Sequence, residues 1–210
     1  MIKVAVVDDH SIVRSGLIKI LKEESDMEVI AEADGYSQLF DHLKLLTPDV
    51  VVLDISMPGK NGLEIVKELK VFYPRLKTLM LSMHPEERFS VRAIKAGASG
   101  YVTKESAADE LVKAIRKVYY GGKFITPTVA EKLANSFELE DNKPDHEKLS
   151  DREFQILRMI ASGLKIKEIA SDLSISPATV ATYRSRILEK MQLKSNVDLA
   201  GYVLRHHLIE

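Results

Sequence analysis

Four short apolar runs in this chain each end in a group that carries charge or an exchangeable proton, and that arrangement constrains the fold most. Ile2-Lys3-Val4-Ala5-Val6-Val7 ends at Asp8 and Asp9, and Val50-Val51-Val52-Leu53 ends at Asp54. Leu79-Met80-Leu81 ends at Ser82, and Tyr101-Val102-Thr103 ends at Lys104. Short Val/Ile/Leu runs alternating with amphipathic helical stretches predict a parallel sheet covered on both faces. The carboxyl ends of such strands share one edge, where ligands bind. Acids, a hydroxyl and a lysine far apart in sequence should therefore converge in one shallow site.

The first ~125 residues hold five β–α alternations. Strands are expected near Lys3–Val7, Glu28–Ala33, Val50–Leu53, Thr78–Leu81 and Gly100–Val102. Helices are expected near Ser11–Glu23, Tyr36–Leu45, Gly62–Lys70, Arg88–Lys95 and Ala107–Tyr119. Pro48-Asp49 stops the second helix before the third strand, and Gly97 and Gly100 flank the turn into the fifth. The fold class predicted is α/β: a doubly wound five-stranded parallel-sheet domain.

The strand-end residues suggest a chemistry. Adjacent carboxylates repel, so Asp8 and Asp9 favour a cation between them. A hard ion with oxygen ligands, Mg²⁺ above all, suits a site of Asp8, Asp9 and Asp54. Asp54 could act as an oxygen nucleophile toward a phosphoryl group and form an acyl phosphate. Lys104 supplies a point charge and Ser82 a hydroxyl donor for the transferred group. Taken singly, each residue has an ordinary reading: Asp9 as a helix cap, Asp54 as a loop residue, Ser82 and Lys104 as surface. Four accidental placements at the ends of strands one, three, four and five are a much poorer explanation.

Charge and composition divide the chain further. The 210 residues carry a net charge of −1 and no cysteine, which excludes disulfides and thiolate metal sites. No run approaches ~18 uncharged apolar residues, so no membrane partner or span is expected. Met1 leads directly into the first strand with no room for a signal peptide, and a cytoplasmic location is expected. Residues 148–210 hold ten Lys/Arg against seven Asp/Glu, whereas residues 128–147 hold two against six. The acidic, core-poor stretch from Phe137 to Glu147 reads as part of a linker over residues 126–147.

Residues 148–210 read as an all-α helix-turn-helix domain. Ser150-Asp151-Arg152-Glu153 is a capping box, and Gly163 ends the helix it opens. Ile166–Leu173 is a short second helix, Ser176-Pro177 opens a third, and Ser195 with Asp198 opens a fourth. A short helix, a tight turn and a longer helix form the arrangement that reads DNA. On the third helix, about Pro177–Met191, the residues Val180, Ile187, Leu188 and Met191 should face the core. Ala181, Thr182 and Ser185 lie opposite, flanked by Arg184, Arg186 and Lys190, with Lys194 beyond. Small residues let a helix approach base edges while cations meet phosphates.

These motifs resemble a known family. Val-Val-Asp8-Asp9-His10, Asp49 to Gly62, Ser82-Met83-His84 and Ala96 to Lys104 resemble the receiver domain of two-component response regulators, over residues 1–125. Leu149 to Glu153, Lys167 to Ala170, Leu173 to Ser176, Thr179-Val180 and Arg186 to Met191 resemble the LuxR-type helix-turn-helix of the NarL/FixJ response regulators. The resemblance implies a sensor histidine kinase donating a phosphoryl group to Asp54. It implies Mg²⁺ at Asp9 and, less directly, Asp8, with the carbonyl of Ser56 as a further ligand. Ser82 and Tyr101 match the switch residues, and Lys104 matches the phosphate-contacting lysine. Glu105 stands where many receivers have proline, and His84 borders the path of an attacking water. Thr179, Ala181, Thr182, Arg184, Ser185, Arg186, Lys190 and Lys194 are the implied contacts to double-stranded DNA. Tyr183 stands where histidine is frequent, as a packing or phosphate-contacting residue.

The expected function is phosphorylation-dependent DNA-binding transcription regulation, through exposure or dimerisation of the DNA-binding domain, with a homodimer when phosphorylated. The chain is not expected to be an enzyme beyond its own phosphoryl transfer and dephosphorylation. The fourth helix offers Val197, Leu199, Ala200, Val203 and Leu204 to share between the core and a dimer seam. An alternative is a receiver controlling a protein-interaction output. A phosphatase of the haloacid dehalogenase type fits less well, because there nucleophile and acid stand two residues apart after the first strand.

Overall fold

The computed structural model describes residues 1–83, 86–138, 145–206 and 208. They fall into two compact units, Met1–Asn135 and Ser136–Glu210. The first unit alternates β1 (Ile2–Val7), α1 (Ser11–Lys22), β2 (Met27–Ala33), α2 (Tyr36–Leu45), β3 (Val50–Asp54), α3 (Gly62–Phe72), β4 (Lys77–Ser82), α4 (Glu86–Ala96), β5 (Gly100–Thr103) and α5 (Ala107–Tyr119). All neighbouring strands pair in parallel, in the order β2-β1-β3-β4-β5.

The reversal of strand order beside β1 and β3 opens a crevice at their carboxyl ends. β3 is buried at every position because it runs through the middle of the sheet. Side chains alternate across the sheet. Val4, Val6, Val50, Val52, Leu79, Leu81 and Val102 share one core with Leu17 and Leu21 of α1 and with Leu111, Ile115 and Val118 of α5. That leaves α2, α3 and α4 for the other face, where Val7, Leu53, Met80 and Tyr101 are equally buried. Each fully buried aliphatic side chain contributes about 2 kcal/mol.

Two features fasten or loosen these layers. Arg116 of α5 grips the turn before β2 with a fork: Nε lies 2.9 Å and Nη2 2.7 Å from the Asp26 carboxylate, and Nη2 also lies 2.6 Å from Glu24. On the other face, Ser90 of α4 is fully buried, and its hydroxyl has no partner among the described residues.

The expected linker needs correction in part. Pro127–Glu138 forms a helix, α6, whose Val129 is fully buried. Thr126 opens it: its carbonyl accepts from Ala130 N, and Pro127 follows at the first helical position. Residues 139–144 of the acidic run lie outside the described residues.

The second unit begins with a 3-10 turn at Asp145–Lys148, followed by α7 (Asp151–Ala161), α8 (Ile166–Asp172), α9 (Pro177–Lys190) and α10 (Asn196–Arg205). Ser150, Ser176 and Ser195 each accept a backbone N–H as N-caps, and the Ser150–Glu153 capping box is complete. Phe154, Ile156, Leu157, Ile169, Val180, Ile187, Leu199 and Val203 fill its core. Leu188, expected inside, is only half-buried. No helix among the described residues is long and apolar enough to cross a membrane.

Candidate functional site

At the carboxyl edge of the first unit the predicted residues meet. Asp54 ends β3 in register with Leu81 of β4, so Ser82 lies one residue beyond its partner. Asp8 follows β1, and Lys104 follows β5. Lys104 Nζ stands 2.8 Å from Asp8 Oδ2 and 2.9 Å from Asp54 Oδ2, with its side chain only 6% exposed. The Lys104 N–H donates to the Ser82 carbonyl at 2.7 Å, which fixes the lysine's origin beside Ser82. After the lysine, the Ser106 N–H donates to Thr103 Oγ1 at 3.1 Å and closes the loop that contains Glu105.

The loop after Asp54 is shaped by its glycine. A Cβ on Gly62 would lie 2.3 Å from the Asp54 carbonyl oxygen and 2.8 Å from Ile55 Cα. Only glycine lets α3 start this close to the end of β3. The Ser56 N–H then donates to Asp54 Oδ1 at 3.2 Å. Ser56 itself is exposed, whereas Ser82 and Tyr101 are buried.

Asp8, Asp9, Asp54 and His10 bring one ligand atom each within 4.8 Å of one another. Asp8 Oδ2 and Asp9 Oδ1 are buried with no hydrogen-bond donor aligned on them among the described residues. Close to them lie Lys104 Nζ and, at 2.9 Å from Asp9 Oδ1, His10 Nδ1. Hard, anionic oxygens in this state suit Mg²⁺. Asp9 is not the cap of α1; that position is His10, which makes no side-chain cap. Sequence reasoning missed His10 as a member of the cluster, and Arg14, whose Nη1 donates to the Asp8 carbonyl at 2.5 Å. His84 lies outside the described residues.

Electrostatics set the charge balance at Asp54 and Lys104. Burial, with Asp8 beside it, raises the Asp54 pKa above its ordinary value, against the opposing pull of Lys104. Burial works against the Lys104 charge, but its contact with Asp8 and the charge of Asp54 outweigh that and raise its pKa. The lysine is therefore a charged counter-ion shared between two acids.

In the second unit α9 presents Ala178, Thr179, Ala181, Thr182, Ser185 and Arg186 to solvent. Ala178, Thr179, Thr182, Tyr183 and Arg186 line a shallow open depression. The expected cations differ in their engagements. Arg184 Nε donates to Asn196 Oδ1 at 2.6 Å, tying α9 to α10. Lys190 Nζ donates to the buried Glu153 carboxylate at 2.7 Å, tying α9 to α7. Arg186 and Lys194 carry no such side-chain tie among the described residues. Buried Arg152, not singled out in the sequence, donates to the Leu173 carbonyl at 3.1 Å and so holds the end of α8 against α7. On α10, Leu199 and Val203 are buried, while Val197 is 79% and Leu204 56% exposed.

Residues 4–116 match the family described as response regulator receiver domain, and residues 147–203 match the bacterial regulatory proteins of the luxR family. The chain is 40% identical to the response regulator GacA of Pseudomonas aeruginosa, across 100% of this chain and 99% of that protein. It is 37% identical to the response regulator UvrY of Escherichia coli, across 99% and 96%. Among solved structures it resembles the Salmonella typhimurium response regulator RcsB, with 26% identity and a TM-score of 0.59 over 97% of this chain and 98% of that one. An RcsB–DNA complex matches with 27% identity and a TM-score of 0.60 over the same shares.

Proposed function

This chain belongs to the NarL/FixJ response regulators, which join a receiver domain to a LuxR-type helix-turn-helix, and from that premise we propose that Asp54 takes a phosphoryl group from a partner histidine kinase. The chain is a DNA-binding transcription regulator. The observation that carries the proposal is the pairing of Lys104 with both Asp8 and Asp54, all three side chains almost wholly buried.

In this reading an Asp54 carboxylate oxygen attacks phosphorus, the P–N bond to the kinase histidine breaks, and an acyl phosphate forms. Asp8, Asp9, Asp54 and the Ser56 carbonyl would hold Mg²⁺, which neutralises charge on the phosphoryl oxygens when bound. Lys104 exchanges its bond to Asp54 for one to a phosphoryl oxygen. Ser82 donates its hydroxyl to another, and Tyr101 senses that move through β5. The new charge biases a two-state element. It controls exposure or dimerisation of the DNA-binding unit on double-stranded DNA. The exposed Val197 and Leu204 of α10 favour dimerisation, and the solved structure of two RcsB dimers bound to DNA is the precedent in a relative. The protein works where its DNA is, in the cytoplasm. The rival reading, an output that binds protein and not DNA, has no observation in its favour.

Light scattering after gel filtration, in Mg²⁺ with and without acetyl phosphate, tests this directly. The expected result is a monomer-to-dimer shift in the wild type and none in Asp54→Asn. A phosphoryl group found by mass spectrometry on a residue other than Asp54 would overturn the assignment.

A further inference from the structure

The proposed DNA-facing surface of α9 is short of hydrogen-bond donors, and that limits what it can read. Thr182 Oγ1 donates to the Ala178 carbonyl at 3.0 Å, and Ser185 Oγ donates to the Ala181 carbonyl at 3.2 Å. The hydroxyls of Ser176 and Thr179 are 2.8 Å apart and bond each other. Ala178 and Ala181 offer only methyl groups. Arg184 and Lys190 are spent on Asn196 and Glu153. Among the described residues, what remains outward is a patch of methyls and hydroxyls, lined also by the Tyr183 phenol and the Arg186 guanidinium.

In the major groove, guanine is read by bidentate cations and adenine by an amide. Among the described residues this patch carries no side-chain amide, and Arg186 is the guanidinium that lines it. Thymine is the base that presents an apolar group, its C5-methyl, and that group is matched by alanine and threonine methyls. We infer that α9 recognises its operator through thymine methyl groups packed on Ala181 and the Thr182 Cγ2 methyl, with Arg186 supplying a phosphate or guanine contact at the flank. Specificity of this kind is apolar and insensitive to salt, while overall affinity stays electrostatic and salt-dependent.

The inference rests on the reading of α9 as the groove-facing helix, and the test separates the two. The full chain, treated with Mg²⁺ and acetyl phosphate, is used to enrich a pool of random duplexes. The enriched and starting pools are then resynthesised with deoxyuridine in place of thymidine, which removes the methyls and keeps every base pair. The expected result is an affinity loss of about tenfold or more for the enriched pool and less than about twofold for the starting pool. Thr182→Ser, which removes one methyl and keeps the hydroxyl, should weaken binding to the thymidine pool by about fivefold and binding to the deoxyuridine pool by less than about twofold. Equal affinity for the two enriched pools, or an equal loss from Thr182→Ser on both, would overturn methyl readout and leave DNA binding standing. No enrichment and no salt-dependent binding to any duplex would instead overturn the helix assignment itself.

Discussion

Asp54 is held where its charge is poorly solvated, and that has a measurable cost. Its pKa is raised in the folded state, mainly by burial, so folding favours its protonated form. The stability gained by protonation is fully present below the ordinary value of 3.8 and is lost as pH rises through the higher folded value. At neutral pH the ionised carboxylate therefore destabilises the receiver. Asp54→Asn is expected to raise its melting temperature by roughly 2–4 °C at pH 7.5 without Mg²⁺, with the advantage shrinking toward pH 4. Thermal scans across that range check it, and a lower melting temperature for the variant at pH 7.5 would contradict it. Two basic residues on α9 should behave differently. Lys190 neutralises buried Glu153, whose pKa is held below its ordinary value by Lys190 and Ser150 despite burial. That stability is present above the ordinary 4.5 and is lost as pH falls through the depressed folded value. Lys190→Ala should cost about 1–3 kcal/mol in urea unfolding of the DNA-binding unit. Arg186→Ala should leave stability unchanged and flatten the salt dependence of DNA binding by about one unit. The acids, Ser82 and Lys104 were legible because each closes an apolar run. The role of Lys190 was not, because a lysine on a helix flank looks the same whether it meets a phosphate or a buried glutamate 37 residues away.

Individual elements were legible to within a few residues wherever period and punctuation agreed. The Pro48, Ser150, Ser176-Pro177 and Ser195 signals all mark element boundaries that the structure contains. α6 went unread because its start signal, Thr126-Pro127, opens a segment whose far end runs into the acidic stretch, and the whole was read as linker. Positive φ at a non-glycine residue was also invisible in sequence. Ser174, in the turn between α8 and α9, has φ 52°. A left-handed serine carries steric strain that glycine lacks. Ser174→Gly should stabilise the DNA-binding unit by about 0.5 kcal/mol, net of the extra freedom glycine gains when unfolded. Urea unfolding of the full chain, followed through the second transition, reads this out. A loss of stability would mean that the serine side chain itself supports the turn.

At the scale of the whole molecule, the two-unit division was readable from the change of hydrophobic period and from the acidic segment between. The receiver, however, is not built evenly. One flank of its sheet is pinned by the Arg116 fork across α5 and the turn before β2. The other flank carries α4, with a buried hydroxyl at Ser90 that has no partner among the described residues. Hydrogen exchange should accordingly be faster in α4 than in α5, and Ser90→Ala should slow it in α4 and stabilise the receiver by about 1 kcal/mol. Equal protection of the two helices would contradict this. The asymmetry gives the domain a keel and a rudder. A disturbance at the crevice meets stiff resistance on one side and little on the other, so the direction in which it travels is decided by the fold before any signal arrives.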